Sequence, residues 1–383
     1  MEIVEKKRVA IVLNSSWNIF NFRLNLIRGI QEQGYEVVII APYDKYSEKL
    51  KEEFRYYSFK MNNKGMNPSE DIATFLELYN IYKLIQPDVV LHFTIKPNVY
   101  GSLACRLLNI KTINNIAGLG TMFIKNNMMT YFVKKLYKFS QNKVDKVFFQ
   151  NRDDYDMFIS GKLVTEVKSS ILPGSGVNIN KFKPIEQNKK DDIFRFLLVA
   201  RMLWDKGIGE YIEAIKIIKK EYNNVEFQLL GFLDAENRTA ISKEQMKEWV
   251  DSGLVNYLGV SDNVQEEMAK ADCIVLPSFY REGTPKSLLE GASMAKPIIT
   301  TDNVGCRDVV DDGVNGYLCK VKDSVDLAEK MQMMLNLSKR ELKEMGEKGR
   351  EKMIFEFNEE IVIGKYLETL SEKLPLMKKV ISR

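Results

Sequence analysis

Short apolar runs alternate with segments of helical periodicity along the whole chain. The run Phe194–Ala200 is short and almost continuously apolar, whereas Ile208–Lys220 repeats apolar residues every three or four positions. The first pattern is typical of a strand buried on both faces, and the second of a helix that covers it. The same patterns predict strands at Arg8–Leu13, Glu36–Ala41, Asp88–Phe93, Lys146–Gln150, Ser170–Leu172, Val225–Leu230, Val255–Leu258, Asp272–Leu276 and Pro297–Thr301, and helices at Phe20–Gln33, Glu70–Gln86 and most of the tail from Ser338.

An aperiodic segment, 173–192, divides this pattern into two halves. It is rich in Gly, Pro, Asn and Lys, and the alternation of strands and helices restarts after it. Strands that alternate with helices call for parallel sheets covered on both faces. We therefore predict an α/β protein with two doubly wound, Rossmann-like domains that face a central cleft. The predicted bounds are 1–180 and 181–360, followed by a C-terminal helix in 361–383 that could pack back on the first domain.

Composition excludes several classes of protein. The 383 residues are 45% hydrophobic and 28% charged, as in ordinary globular proteins, and no apolar run approaches the roughly 20 residues of a membrane-spanning helix. The charged start of the chain leads directly into a strand, so we expect no signal peptide. One histidine, His92, and four scattered cysteines make a zinc or iron–sulfur site improbable and fit a reducing cytosol.

Charge is distributed unevenly. Residues 1–180 hold 24 basic and 17 acidic residues, whereas residues 181–383 hold 32 and 35. The basic first half favours an anionic partner on that side of the protein. Uneven surface charge without functional meaning is the alternative.

The segment 277–291 offers the clearest candidate chemistry. Glu282 lies in a loop after an apolar strand, and Glu290 lies eight positions later on the helix that this loop opens. Pro285 suits the start of a helix, where free N–H groups and the helix dipole form a site for anions. A phosphate site between two carboxylates that can accept hydrogen bonds from hydroxyls suits a nucleotide-sugar.

Two cations lie at the equivalent edge of a neighbouring predicted strand. Arg201 and Lys206 directly follow Phe194–Ala200, and ligands of doubly wound sheets bind at the carboxyl ends of the strands. The two side chains could hold a diphosphate and stabilise it as it departs. A solvated turn in which Lys206 pairs with Asp205 is the alternative when the segment is read in isolation.

Metal-dependent and dinucleotide-dependent chemistries fit less well. Asp154 and Asp156 form a D-x-D sequence, but they follow Asn151, a good N-cap, and acidic residues are favoured in a first helical turn for that reason alone. Neither glycine-rich stretch, at 118–120 or at 174–176, has the third glycine of G-x-G-x-x-G, and the chain has no Walker sequence. We expect no metal and no cofactor.

Several stretches together carry a resemblance to a known family. They are the E-x7-E pair with Arg201 and Lys206, and the segments Asn-Phe-Arg-Leu (21–24), His-Phe-Thr-Ile-Lys-Pro-Asn (92–98), Ala-Gly-Leu-Gly-Thr (117–121), Gly-Val-Asn-Ile-Asn-Lys-Phe (176–182) and Glu-Gly-Thr-Pro-Lys-Ser-Leu-Leu-Glu (282–290). With these blocks in this order, the chain resembles the retaining GT-B glycosyltransferases of family four. It is similar within them to bacterial transferases that extend undecaprenyl-diphosphate-linked glycans, including the one that adds N-acetylgalactosamine to lipid-linked bacillosamine.

The resemblance implies an activity. A hexose or N-acetylhexosamine would pass from a UDP-sugar to a lipid-diphosphate-linked saccharide, without metal and with retention, as part of cell-surface polysaccharide or glycan assembly. The leaving phosphate would take the acceptor proton, so no protein base is required. The rivals are the same donor chemistry on a soluble acceptor, a GT-B-shaped epimerase, and a non-catalytic nucleotide-sugar-binding protein of an assembly complex. Nucleic acid is not an expected partner.

The resemblance also implies roles for individual residues. The catalytic residues would be Arg201, Lys206 and Glu282. The donor would contact Glu290, Gly283, Thr284, Lys286 and Ser287, with Asn14, Ser15 and Ser16 from the first domain and a supporting contribution from Asp302, Asn303 and Gly305. The acceptor would contact His92, Lys96, Asn98, Gly118 and Gly120. Residues 14–18 replace a glycine-rich loop that many relatives have, and a structural role for His92 is the alternative to acceptor positioning.

The segment 128–139 bears on where the protein acts. At helical spacing, Met129, Phe132, Val133 and Leu136 fall on one face, with Lys134, Lys135 and Lys138 on another. A basic amphipathic helix can lie on an anionic membrane surface. The alternative is a stripe that belongs to the core beside a solvated basic face. With a lipid-linked acceptor implied, we expect a cytoplasmic protein, peripheral on the cytoplasmic face of the inner membrane.

Overall fold

The computed structural model describes residues 6–62, 67–119, 128–187, 191–233 and 239–376. The chain divides into two compact units. The first unit contains the chain up to Leu172 and the segment from Val362 onward, and the second unit is Pro173–Ile361. The chain thus leaves the first unit at residue 172 rather than at the predicted bound of 180.

The first unit is built on a seven-stranded parallel sheet in the order β3-β2-β1-β4-β5-β6-β7. The chain moves outward in one direction from β1 and then returns to build the other direction from β4, which creates a switch point between these two strands. The strands are β1 (Arg8–Val12), β2 (Glu36–Ile40), β3 (Arg55–Tyr57), β4 (Val89–His92), β5 (Lys111–Ile116), β6 (Lys146–Phe149) and β7 (Ser169–Ile171).

Helices cover both faces of this sheet, as short parallel strands buried on both sides require. They are α1 (Ser16–Phe22), α2 (Leu24–Glu32), α3 (Ser47–Glu53), α4 (Pro68–Ile85), α5 (Ser102–Leu108), α6 (Met128–Gln141) and α7 (Arg152–Ser160), with a π-helical turn at Pro97–Gly101 before α5. The last helix of the chain, α14 (Glu359–Lys373), joins this unit. Its Tyr366 is fully buried against Phe93 and Phe148, with ring centroids 5.8 and 4.8 Å away.

The second unit repeats the design with a six-stranded parallel sheet in the order β10-β9-β8-β11-β12-β13. Its switch point lies between β8 and β11. The strands are β8 (Phe194–Val199), β9 (Val225–Leu230), β10 (Asn256–Tyr257), β11 (Cys273–Leu276), β12 (Ile298–Thr301) and β13 (Gly316–Cys319). The covering helices are α8 (Ile208–Ile218), α9 (Lys243–Asp251), α10 (Val264–Lys270), α11 (Lys286–Ser293), α12 (Ser324–Leu335) and α13 (Lys339–Phe355).

The structure corrects one predicted helix. The apolar spacing of Phe20–Gln33 predicts a single helix, but α1 ends at Phe22 and α2 begins at Leu24. Arg23 between them is not helical, with φ −131° and ψ −5°. Its guanidinium is buried and lies 4.6 Å from the centroid of the Phe93 ring. The break therefore turns a cation inward against an aromatic face, a tertiary contact that periodicity does not reveal.

In the part of the chain that the structure describes, no helix combines the length and the apolar character needed to cross a lipid bilayer.

Candidate active site

The candidate residues of the second unit gather where β8 and β11 end. The two strands are neighbours in the sheet, and the loops that follow them carry Arg201 and Lys206 on one side and Glu282 on the other. This is the switch point of the sheet, where the strand order reverses and ligands of doubly wound folds bind. The sequence therefore placed these three residues at one edge, and the structure brings their loops together there.

Lys206 and Glu282 form an ion pair between the Lys206 Nζ and Glu282 Oε1. Their side chains are only 13% and 11% exposed. The Ser278 Oγ also donates to Glu282 Oε1 over 2.9 Å, and the Lys206 ammonium lies 5.1 Å from the centroid of the Tyr280 ring. Among the ion pairs of the described residues, Lys206 is paired with Glu282 of the other loop and not with Asp205, the alternative partner. Low solvent exposure makes the charge of this ammonium effective at short range.

Backbone contacts hold the two loops in register. The N–H groups of Phe279 and Tyr280 both donate to the Asp205 carbonyl over 3.1 Å. Gly207 directly follows Lys206 at φ +77°, and a Cβ there would lie 2.0 Å from the Pro277 carbonyl oxygen. Glycine is thus required twice over, by the left-handed conformation and by the close approach. The position of Lys206 is consequently set by the backbone as well as by its ion pair.

The loop after β12 supports the same edge. The Asn303 side chain donates to the Tyr280 carbonyl over 3.0 Å, and Thr301 Oγ1 donates to the Ser278 carbonyl over 2.5 Å. Gly305, at φ +76°, approaches so closely that a Cβ would lie 1.9 Å from the Gly283 carbonyl oxygen. Three successive loops are therefore packed into one rigid edge, which is the arrangement that catalytic and binding side chains need.

Arg201 lies near Tyr280, as the charges acting on this phenol indicate. Arg201 itself is exposed. Burial raises the pKa of the Tyr280 phenol; the Glu282 carboxylate adds to this rise, and the Arg201 guanidinium opposes it. Arg201 and Glu282 thus both act on one side chain at the same edge, with Lys206 beside them. The edge offers two cations to an anionic ligand.

Glu290 lies on α11, the helix that begins at Lys286, one residue after Pro285. Burial raises the pKa of Glu290 to about 7, and the ammonium groups of Lys286 and Lys181 oppose this rise. The carboxyl is therefore divided between its neutral and ionised forms at neutral pH. Thr284 is buried and packs closely on Gly174, since a Cβ added to this glycine would lie only 2.7 Å from the Thr284 Cβ. Gly283 is buried as well, while Lys286 and Ser287 are half-buried at the start of the helix.

The two serines of the first unit that are predicted to contact the donor form hydrogen bonds within that unit. Ser15 caps α1, and its hydroxyl accepts a hydrogen bond from the Asn18 N–H over 3.2 Å. Ser16 is fully buried and bonded to Ser47 and Tyr56 over 2.9 and 3.0 Å. Both hydroxyls thus have hydrogen-bond partners within the first unit, and their contact with the donor stays a prediction. Asn14 is half-buried at the carboxyl end of β1.

The acceptor candidates of the first unit follow β4 and β5. His92 is fully buried, and its ring bonds to the Tyr82 hydroxyl and to Asn114 Oδ1, each over 2.9 Å. Burial lowers its pKa to about 4, so the ring is neutral at physiological pH. Burial and the two hydrogen bonds support the structural alternative for His92, and a contact with the acceptor stays a prediction.

The other acceptor candidates differ in accessibility. Asn98 is 1% exposed and donates to the Asn115 carbonyl over 2.8 Å. Lys96 pairs with Asp71 over 2.7 Å. Gly118 is half-buried with φ +97°, and Gly120 lies outside the described residues. Among the described candidates, the side chains of Lys96 and Asn98 are thus bonded to other residues of the first unit.

The D-x-D sequence lies near the start of α7, shortly after the residue predicted to cap this helix. Asn151 caps α7, and its side chain accepts a hydrogen bond from the Asp154 N–H over 2.7 Å. Asp154 is fully buried. Among the residues described, no group of three or more His, Cys, Asp or Glu side chains is placed to hold a metal ion.

Sequence reasoning missed Ser278 and Tyr280. Both lie inside the segment 277–291, and both contact the Lys206–Glu282 pair. The spacing of Ser278, four residues before Glu282 in a loop, carries no recognisable signal by itself. A partner for a buried carboxylate becomes visible when the loop conformation is known.

Two family models match the chain, one in each half. Residues 8–151 match the glycosyl transferase 4-like family, and residues 193–336 match the glycosyl transferases group 1. Together they span about three quarters of the 383 residues.

Curated relatives match over most of the chain. It is 28% identical to the N,N'-diacetylbacillosaminyl-diphospho-undecaprenol alpha-1,3-N-acetylgalactosaminyltransferase of Campylobacter jejuni, over 94% of this chain and 97% of that protein. It is 24% identical to the UDP-Gal:alpha-D-GlcNAc-diphosphoundecaprenol alpha-1,3-galactosyltransferase of Escherichia coli, over 66% of this chain and 68% of that protein.

Solved structures share the fold. The Anabaena protein HepE in complex with UDP and glucose superposes with a TM-score of 0.77 at 17% identity, covering 96% of this chain and 100% of that one. A glycosyltransferase of Rickettsia africae superposes with a TM-score of 0.77 at 19% identity, over 97% of this chain and 100% of that one. At these identities the likeness establishes the architecture alone.

Proposed function

The chain belongs to the GT-B glycosyltransferases, and from this premise we propose that it transfers a hexose or N-acetylhexosamine from a UDP-sugar to a lipid-diphosphate-linked saccharide, with retention and without a metal. The observation that carries the proposal is the Lys206–Glu282 pair at the switch point of the second unit. The two relatives named above act on diphospho-undecaprenol-linked sugars, which supports this class of acceptor.

The proposed chemistry needs charge stabilisation more than it needs a base. The bond between the anomeric carbon and the diphosphate oxygen breaks as the acceptor oxygen bonds to the same face of that carbon. The acceptor proton passes to the departing diphosphate, so the products are UDP and the extended saccharide. Negative charge develops on the diphosphate, and Lys206 and Arg201 are the cations at this edge to stabilise it.

The fixed position of Lys206 is what would make it effective. Its ammonium pairs with Glu282, and backbone hydrogen bonds between the two loops fix the position of the residue, so little reorganisation is needed when charge develops on the leaving group. In the proposal Glu282 has two functions: it holds the ammonium, and it accepts hydrogen bonds from hydroxyls of the transferred sugar. Glu290 binds the ribose hydroxyls, a function that needs the ionised carboxylate because hydroxyl donors bind charged acceptors more strongly.

The test is a transfer assay with purified protein. A panel of UDP-sugars is combined with undecaprenyl-diphosphate-linked sugars, and UDP release and product mass are measured. We expect acceptor-dependent UDP release that falls about 10²- to 10³-fold in Lys206→Ala, as for the loss of one preorganised charge-stabilising group. Lys216→Ala, which removes an exposed lysine of α8 paired with Glu213, is the matched control and should retain full activity. Absence of both UDP binding and UDP release from every donor would refute the proposal.

A further inference from the structure

Four large apolar side chains of the first unit are exposed around one cavity. They are Ile72 on α4, Leu107 on α5, and Phe132 and Phe139 on α6, with exposed fractions of 60%, 66%, 59% and 57%. The cavity has a volume of about 830 Å³. Scattered apolar residues on a surface need no explanation, but a contiguous set around a concavity marks a binding site.

Each of the three helices presents a second apolar face to this cavity, apart from the face that packs on the sheet. On α6 the buried residues are Val133 and Tyr137, whereas Phe132 and Phe139, seven positions apart, turn outward. The sequence predicts one apolar face of Met129, Phe132, Val133 and Leu136, on a membrane surface or in the core, whereas Phe132 is exposed and Val133 is buried. The remaining lining residues are Pro68, Asp71, Phe75, Tyr100, Leu103 and Arg106. We call this cavity the α4–α6 groove.

One end of the α4–α6 groove lies beside the segment that follows β4. Helices that connect parallel strands run back against them, so the first turn of α4 lies at the carboxyl edge of the sheet. Asp71 in this turn lines the groove and pairs with Lys96, a residue of the loop after β4, over 2.7 Å. Tyr100 continues the same segment and lines the groove too. The groove thus starts next to the predicted acceptor residues and extends between the helices.

Cations accompany the apolar lining. The Arg106 guanidinium lies 4.8 Å from the centroid of the Phe139 ring, and its Nη1 has no hydrogen-bond partner among the residues that the structure describes. Lys135 is exposed on α6, three positions after Phe132 and four before Phe139, and Lys138 is exposed near it. The one acidic lining residue, Asp71, is already neutralised by Lys96. An apolar floor with basic surroundings is complementary to a hydrocarbon chain attached to an anionic group.

We propose that the α4–α6 groove binds the first isoprene units of the prenyl chain of a lipid-diphosphate acceptor. This inference rests on the proposed function, because that function supplies an acceptor whose chain begins at the diphosphate. Shape decides between a single chain and a flat bilayer surface. The apolar residues surround a concavity whose volume of about 830 Å³ lies within the range of ligand pockets, about 300–1,000 Å³, which favours a single chain.

The test measures binding of farnesyl diphosphate, a C15 prenyl diphosphate, by calorimetry without detergent or membranes. Ile72→Glu and Leu107→Glu place a charge in the groove, and both positions are exposed, so the variants should fold. We expect each to weaken binding at least tenfold, about 1.4 kcal/mol. Leu84→Glu is the matched control, since Leu84 is 72% exposed on α4 and does not line the groove. It should bind within about twofold of the unaltered protein.

Further arms separate the possible outcomes. Inorganic pyrophosphate should bind more weakly than farnesyl diphosphate and should be insensitive to both groove variants; equal binding of the two ligands would overturn the proposal. So would variants that detach the protein from phosphatidylglycerol vesicles while farnesyl diphosphate binding is unchanged, because the groove would then be a membrane-facing surface. UDP release is scored separately. If the unaltered protein transfers sugar but does not bind farnesyl diphosphate, the groove proposal is refuted and the proposed function is not. If it binds farnesyl diphosphate, loses that binding in both variants and transfers no sugar, the proposed function is refuted and prenyl binding by the groove is not.

Discussion

The substitution Glu290→Gln should weaken donor binding and at the same time stabilise the second unit at neutral and alkaline pH. Both effects come from the raised pKa of the Glu290 carboxyl. Burial raises the pKa of Glu290 from its usual 4.5 to about 7, so ionisation of this carboxyl is more costly in the folded protein than in the unfolded chain. Glutamine keeps the shape and removes the ionisation.

The sign and magnitude follow from proton linkage. Below pH 4.5 the carboxyl is protonated in both states and contributes nothing. As pH rises from 4.5 to 7, the unfolded chain releases the proton first, and the folded state loses stability relative to it. A rise of this size corresponds to about 3 kcal/mol, and the partial exposure of the residue reduces the figure toward about 2 kcal/mol. The gain in Glu290→Gln should therefore be near zero at pH 4.5 and about 2–3 kcal/mol at pH 8.

The assay is urea unfolding followed by tryptophan fluorescence. The chain has three tryptophans, and a Trp17→Phe background leaves Trp204 and Trp249, which both lie in the second unit with Glu290. The fluorescence then reports the unit that carries the substitution. Glu329→Gln, on the exposed side of α12, is the control and should change stability equally little at both pH values.

Donor binding completes this prediction. If the ionised carboxylate holds the ribose, UDP should bind the unaltered protein more tightly at pH 8 than at pH 6. Glu290→Gln should bind UDP about 10- to 100-fold more weakly at pH 8 and should lose most of that pH dependence. A variant that is no more stable than the unaltered protein at pH 8, or whose stability gain is the same at pH 4.5, would refute the reasoning.

Three other predictions follow from the site and its supports. Glu282→Gln should lower the transfer rate about 10²-fold by releasing the Lys206 ammonium, while UDP binding measured by calorimetry changes less than the rate; equal losses in both would contradict a role in the transition state. Gly305→Ala should destabilise the second unit by at least about 2 kcal/mol in urea unfolding, because φ is +76° and the new Cβ would meet the Gly283 carbonyl. Gly313→Ala, also at φ +76° but with open space around it, should cost only about 1 kcal/mol, and an equal cost at both positions would exclude the close approach as the cause. The His92 ring, which gives the one histidine signal in NMR, should remain neutral throughout pH 5.5–8. Because burial lowers its pKa to about 4, the free energy of unfolding should fall as pH drops below about 6.5. A titration midpoint above pH 5.5 would show that the ring is not enclosed.

The sequence predicts the architecture well where strands are apolar. The runs that form β8 and β11 are short and mostly apolar, and β9 alternates apolar and polar residues before two leucines. The bounds of all three strands differ from the predicted ones by at most one residue at an end. Their alternation with helices is sufficient to predict parallel sheets and therefore an edge at which the following loops meet. Arg201, Lys206 and Glu282 could be placed at that edge for this reason.

The strand β5 shows why other elements escaped prediction. Its sequence, Lys-Thr-Ile-Asn-Asn-Ile, has two asparagines that read as a turn. Both are buried in the sheet because distant side chains satisfy them: Asn114 bonds to Ser102 and Gln141, and Asn115 to Tyr366. A buried polar strand depends on partners that are far away in sequence, and hydrophobic periodicity contains no information about them.

The site residues fall into two groups, those whose role could be predicted from the sequence and those whose role could not. Roles that depend on position at the end of a strand could be predicted, as for Lys206. Roles that depend on side-chain direction could not, as for Ser16 and His92, whose polar atoms turn into the protein and bond there. The identity of a partner, such as Ser278 for Glu282, becomes apparent when the loops are folded.

The most direct test of the account follows the anomeric configuration of the product. Purified protein is incubated with the UDP-sugar and lipid-diphosphate acceptor that give UDP release, and proton NMR records the first product formed. The proposed mechanism predicts an α-linked sugar from the α-linked donor, with formation suppressed about 10²- to 10³-fold in Lys206→Ala. A β-linked product, or an α-linked product formed at an undiminished rate by Lys206→Ala, would contradict it.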